Sequence, residues 1–119
     1  MMYEDKIQDT ITKVGGIITK GWYSVSERPE KPPFAKEMEY KVGDIFWGKI
    51  HLRNKGDIYV LIISKDVFNW KDKIAQLKFS GEVEDAAGGL LWLRENLDTL
   101  ENDLKYVKDY LSSLKNSNK

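Results

Sequence analysis

The sequence predicts an α+β fold: a small antiparallel β-sheet packed with helices, followed by a long leucine-zipper-like helix at the C-terminus. Three patterns predict it. Alternating apolar and polar residues flank Asn54-Lys55-Gly56 in the manner of a β-hairpin, and an amphipathic stripe precedes them near the N-terminus. An apolar repeat with spacings of four and three then runs unbroken from Ala86 to Leu114.

In chain order, Tyr3 to Val14 reads as a helix because Ile7, Ile11 and Val14 share one face, and Gly15-Gly16 ends it. Ile17 to Ser26 is rich in β-branched and aromatic residues and reads as a strand. Lys20, Trp22 and Ser24 take one face, and Ile17, Thr19, Tyr23 and Val25 the other. All three prolines fall within Pro29 to Pro33, so Glu27 to Pro33 is expected to be an extended loop, with Phe34 at its end. Glu37 to Lys41 is expected to add a short edge strand before a turn at Gly43-Asp44.

The clearest β signal spans Ile45 to Ser64. Asn54-Lys55-Gly56 suits a three-residue loop, a type I turn followed by a left-handed glycine, which sets Arg53 opposite Asp57. One face is then wholly apolar, with Phe46, Ile50, Leu52, Ile58, Val60 and Ile62. The other carries Trp47, Lys49, His51, Arg53, Asp57, Tyr59, Leu61 and Ile63. A four-residue loop would set Trp47, Lys49 and His51 opposite Ile58, Val60 and Ile62, a less segregated pattern. From Asp66, a possible N-cap, the period changes. Val67 to Phe79 reads as a helix with Val67, Trp70, Ile74 and Leu77 inward, broken at Ser80-Gly81.

In the C-terminal repeat, Leu90, Leu97, Leu104 and Leu111 occupy a, while Ala86, Leu93, Leu100, Val107 and Leu114 occupy d. The e and g positions are mostly polar (Arg94, Asn96, Glu101, Asp103, Lys108, Lys115), whereas a helix lying on its own sheet usually shows a wider apolar face. Thirty helical residues would reach ~45 Å, so part would project. The expected division is a globular body over residues 1–81 and an oligomerisation helix over 82–119. No polar residue in the seam chooses between dimer and tetramer, and Gly88-Gly89 is a soft point. The alternative is an amphipathic helix packed on the chain's own sheet.

Composition narrows the class. A chain of 119 residues without cysteine has no disulfide framework, thiolate metal site or cysteine nucleophile. Met1 to Lys6 shows no secretory n-region, and no apolar run approaches the ~20 residues of a membrane span, so a cytoplasmic protein is expected. Sixteen lysines against three arginines suit a thermophile's surface or an AT-rich genome. Net charge is zero, but residues 1–81 hold 14 basic against 11 acidic side chains and residues 82–119 hold 5 against 8. An acidic tail thus masks a basic body.

Enzyme signatures are absent: there is no P-loop, GxGxxG, GxSxG or HExxH. A single His51 builds neither a multi-histidine metal site nor the two-histidine motif of rolling-circle replication nucleases, for which Tyr106 and Tyr110 would otherwise be candidates. Glu37 to Lys41 reads as a solvated edge. The expectation is a binding protein without cofactor, metal or small-molecule substrate.

Rings interleaved with cations suit a single nucleic-acid strand, since bases stack on the rings and Lys or Arg neutralises phosphates. The candidate binding residues are Lys20, Trp22, Phe34, Trp47, Lys49, His51, Arg53 and Tyr59. Phe34 could flank a cleft or merely anchor its loop, and Trp70 and Trp92 are assigned to the core. In its order of helix, antiparallel sheet with Trp22, Trp47 and basic neighbours, then the Leu90 to Leu114 repeat, the chain resembles the ThermoDBP group of archaeal single-stranded-DNA-binding proteins. The resemblance implies a compact α+β DNA-binding domain that is not an OB-fold, a C-terminal zipper, and in some relatives DNA held between subunits. The expected function is largely sequence-independent binding of single-stranded DNA by an oligomer. RNA is the nearest alternative, and a protein-interaction or scaffold module is the competitor from another class.

Overall fold

The structure is a computed structural model that describes residues 3–28, 31–53 and 56–117, with side chains described for all of these except 26–28, 31–34 and 115–117. Helix α1 (Tyr3–Lys13) leads into strands β1 (Gly16–Arg28), β2 (Lys31–Val42), β3 (Phe46–Leu52) and β4 (Ile58–Ile63). A short helix α2 (Trp70–Lys73) with a 3-10 turn follows, then β5 (Glu82–Ala87), β6 (Leu90–Glu95) and helix α3 (Leu100–Ser117). The six strands form one antiparallel sheet in the order β1-β2-β3-β4-β6-β5. The α+β class stands, as a six-stranded sheet with three helices.

The β3–β4 register is the expected one. Leu52 pairs with Ile58 and Trp47 with Ile63, while Arg53 N donates to Asp57 O and Gly56 N to Arg53 O, both at 3.0 Å. Gly56 has φ 83°, the left-handed region that favours glycine. Phe46, Ile50, Leu52, Ile58, Val60 and Ile62 are all buried. Gly48 breaks this apolar row for a steric reason: a Cβ there would collide with the Leu61 carbonyl. Tyr40, opposite Gly48 on β2, takes up the space and donates its hydroxyl to Leu61 O at 2.9 Å.

Helices α1 and α3 share one hydrophobic core with this face through Ile7, Ile11, Leu100, Leu104, Val107 and Leu111. Lys108 Nζ ties the two helices by donating to Val14 O at 3.0 Å.

Several expectations need correction. Residues 82–98 are not helical: Glu82–Ala87 and Leu90–Glu95 form a hairpin whose turn is Gly88-Gly89, with Gly88 at φ 55°. Helix α3 therefore has 18 residues, ~27 Å, and lies on the sheet. Its start is fixed by Asn96 and Thr99, which exchange side-chain to backbone hydrogen bonds at 3.0 Å in capping-box geometry.

The zipper positions are consequently dispersed. Leu90 and Leu93 sit on β6, Leu97 in a turn, and Leu100, Leu104, Val107 and Leu111 are at most 1% exposed inside the monomer. Leu114 and Ala86 are half-buried against the same core. Each such burial is worth ~1.5–3 kcal/mol relative to exposure, which the chain's own sheet supplies. The boundary expected at residue 81 dissolves with the zipper, because β6 lies inside the sheet between β4 and β5.

The helix expected over Val67 to Phe79 shrinks to Trp70–Lys73 plus Ile74–Gln76, capped by Asn69 Oδ1 rather than Asp66. The segment Glu37 to Lys41 is not an edge. It belongs to the 12-residue β2, which pairs on both sides and takes in Pro32 and Pro33, expected in a loop.

One buried group needs explanation. Asp103 of α3 accepts hydrogen bonds from Ser80 N and Gly81 N, each at 2.7 Å, and Glu95 of β6 stands beside it, 5% exposed. Both Glu95 oxygens are buried without a hydrogen-bond partner among the described residues. Burial first, then the neighbouring Asp103, pushes the Glu95 carboxyl up to about 9. Glu95 is therefore neutral at pH 7, and its proton is the natural link to Asp103.

Candidate functional site

Because the strands alternate, everything the core does not use projects from the opposite face of the sheet, where no helix lies among the described residues. The register sorts these side chains into rows that cross the strands. The first contains Ile17, Lys41, Trp47, Ile63, Leu90 and Ala87. The second contains Lys20, Glu39, Lys49, Leu61, Trp92 and Asp85, and the third Tyr23, Glu37, His51, Tyr59, Arg94 and Glu82. The face thus interleaves rings and apolar side chains, among them Trp47, Leu61, Ile63, Tyr59 and Trp92 on β3, β4 and β6, with charged ones.

Trp47 stands 36% exposed in the first row, opposite Lys41. It lines an open recess of about 420 Å³ with Thr19, Glu39, Lys41, Asp44 and Lys65. A second recess of about 380 Å³ lies over the third row, lined by Glu37, His51, Arg53, Tyr59, Asp85 and Trp92. There the Arg53 guanidinium sits 4.7 Å from the Tyr59 ring centroid and donates to its hydroxyl at 3.4 Å. The His51 ring meets Tyr59 edge-on at 6.2 Å.

Most cations on this face have acidic company. Lys49 Nζ lies 3.9 Å from Glu37 Oε1, His51 Nδ1 3.1 Å from Glu37 Oε2, Lys41 Nζ 3.4 Å from Asp44, and Arg94 3.4 Å from Asp57. Tyr23 donates to Glu37 at 3.2 Å and to Glu39 at 3.4 Å. Burial, reinforced by these carboxylates, pushes its pKa up to about 12, so it remains a donor. Such half-exposed pairs hold side chains in place more than they stabilise the fold.

Of the residues singled out from sequence, Trp47, Lys49, His51, Arg53 and Tyr59 come together on the open face. Lys20 joins them, its ammonium 4.5 Å from the Tyr23 ring centroid. Trp22 does not. β1 gains one residue on β2 between Ile18 and Lys20 and another between Lys20 and Tyr23, so Lys20 shares the face of Ile17 and Tyr23 while Trp22 stays with Ile18 on the other. Trp22 is turned onto the core, its indole Nε1 buried and unpartnered among the described residues. Phe34 belongs to β2, but its side chain lies outside the described residues.

Trp70 is fully buried, as expected. Trp92 is not a core residue of a helix: on β6 it is half-buried on the open face. Leu91, Leu93 and Glu95 face inward and Leu90, Trp92 and Arg94 outward, and with apolar residues on both faces the sequence carries no alternation that would have found it. Lys41 and Lys65 were also missed, since neither lies on the hairpin strands that drew attention.

Among the described residues no cluster of three or more His, Asp or Glu side chains could hold a metal ion, and no helix is long and apolar enough to cross a membrane. Comparison of the chain with family models, curated proteins and solved structures finds no match.

Proposed function

We propose that this chain is a non-enzymatic, largely sequence-independent single-stranded DNA-binding protein whose helix-free sheet face receives the strand. The observation that carries the reading is Trp47, an indole standing 36% open on that face beside Lys41, Lys49 and Lys65. An exposed ring offers a surface to any unpaired base, and lysines around it neutralise phosphates without reading sequence. Tyr59, His51 and Trp92 extend the aromatic surface across adjacent strands. Of the features on which the resemblance to the ThermoDBP group rests, the α+β body and Trp47 remain, while Trp22 is turned onto the core and the zipper leucines are taken up by the monomer. Pairing through α3 is no part of the proposal, because its leucines are spent in the monomer core.

Duplex DNA hides its base faces, so oligo-dT is expected to outbind a matched duplex, with affinity falling linearly in log salt by a slope of a few phosphates. Salt-insensitive binding, or equal affinity for duplex, would contradict the proposal. RNA offers the same stacking and phosphate chemistry, so oligo-U is the companion ligand.

The second reading, a protein partner on the same face, draws on the carboxylates beside Lys41, Lys49 and Arg94 and on the exposed apolar members of the first row, Ile17 and Leu90. It requires no binding to either oligonucleotide even at low salt.

A further inference from the structure

Phe68 is 89% exposed, the largest exposure of any large hydrophobic side chain among the described residues. It lies in the connection from β4 to α2, and that connection is firmly held. Val67 and Trp70 on either side are buried, Asp66 N donates to Ser64 Oγ at 3.1 Å, and Trp70 N donates to Gly88 O at 2.8 Å. Val67 and Trp70 take the inward positions, so Phe68 is held outward.

The same connection delivers Lys65 to the recess that Trp47 lines. It leaves β4 at Ile63, which pairs with Trp47 on one side and with the 45% exposed Leu90 on the other. Phe68 therefore stands, exposed, in the connection that leaves the sheet at the end where the first row of the open face runs out. Its chain neighbours Lys65, Asp66, Asn69 and Lys71 are all exposed and polar. A contact between two copies needs a contiguous apolar area of roughly 800 Å² per partner. A single ring in a polar, lysine-bearing loop suits a base stacked on its face, with a phosphate beside it.

We propose that Phe68 is a second stacking ring for the strand bound at Trp47, so that the site spans more than one base and continues off the sheet onto the β4–α2 connection. This rests on the nucleic-acid reading of the open face.

The test uses the full chain, anisotropy of labelled oligo-dT of about 4 and about 12 nucleotides, and the variants Phe68→Ala, Phe68→Trp and Trp47→Ala. Phe68→Ala is expected to weaken the longer oligonucleotide roughly 5- to 150-fold, the range for one lost stack, with little change for the shorter and none in melting temperature. Phe68→Trp is expected to restore affinity and show indole quenching on binding. Unchanged affinity in Phe68→Ala alongside a weakened Trp47→Ala overturns the inference and leaves the proposed function standing. Absence of binding by the unsubstituted chain at low salt overturns both. If Phe68→Ala instead lowers the molar mass measured by light scattering without DNA, the ring belongs to a contact between copies and the inference fails.

Discussion

Replacing Glu95 by Gln should flatten the dependence of stability on pH, and the magnitude follows from the burial of one carboxyl. The unfolded chain gives up the Glu95 proton near the ordinary 4.5, whereas the folded chain keeps it to about 9. Between these values the native state holds one more proton than the unfolded state, so stability is greatest below pH 4.5 for this group and falls as pH rises towards 9. One proton corresponds to up to about 1.4 kcal/mol per pH unit. From pH 6 to 8 that amounts to about 2–3 kcal/mol, or roughly 10 °C of melting temperature for a domain of this size. Glutamine has the shape of the protonated acid and can donate to Asp103, which already accepts Ser80 N and Gly81 N. Thermal melts of both proteins at pH 6, 7 and 8 should diverge steadily, with the variant the more stable at pH 8. Other titrating groups are common to both and cancel in the difference. Parallel curves would refute a neutral buried Glu95.

Two further outcomes follow from the packing. Leu104→Ala should cost ~2–5 kcal/mol of unfolding free energy by denaturant titration and leave the molar mass of the folded protein unchanged, because this leucine is a core residue of the monomer. A halved mass with little loss of stability would restore the zipper. Gly48→Ala should destabilise by ~1–3 kcal/mol or more, since its Cβ would meet the Leu61 carbonyl, a backbone atom that cannot swing aside; a melt within 1 °C of the unsubstituted protein would contradict the close approach of β3 and β4.

The hairpin was legible because Asn54-Lys55-Gly56 fixes its register and its two faces differ sharply in polarity, so the side chains of Trp47, Lys49, His51 and Tyr59 could be placed together. The C-terminal repeat misled for a physical reason. Strand β6 has apolar residues on both faces, Leu91 and Leu93 inward and Leu90 and Trp92 outward, which erases the period of two. Its leucines happen to continue the spacing of α3. Gly88-Gly89, taken for a weak point in a helix, was the turn that breaks it, and Ala86 and Ala87 before it carry no pattern of their own. Alternation places Lys20 and Trp22 on one face, but bulges on either side of Lys20 put it out of step with its neighbours, and only the pairing with β2 reveals them. Trp92 was lost to the site with the strand that carries it.

The most direct test of the open face as a binding surface is Trp47→Ala, with oligo-dT affinity and melting temperature measured on the same preparation. The ring is partly exposed and rests on no core helix, so affinity should fall by ~1–3 kcal/mol, the worth of one base stack, while melting shifts little. A large drop in melting temperature with unchanged affinity in the folded protein would show that Trp47 serves the fold and would contradict the account.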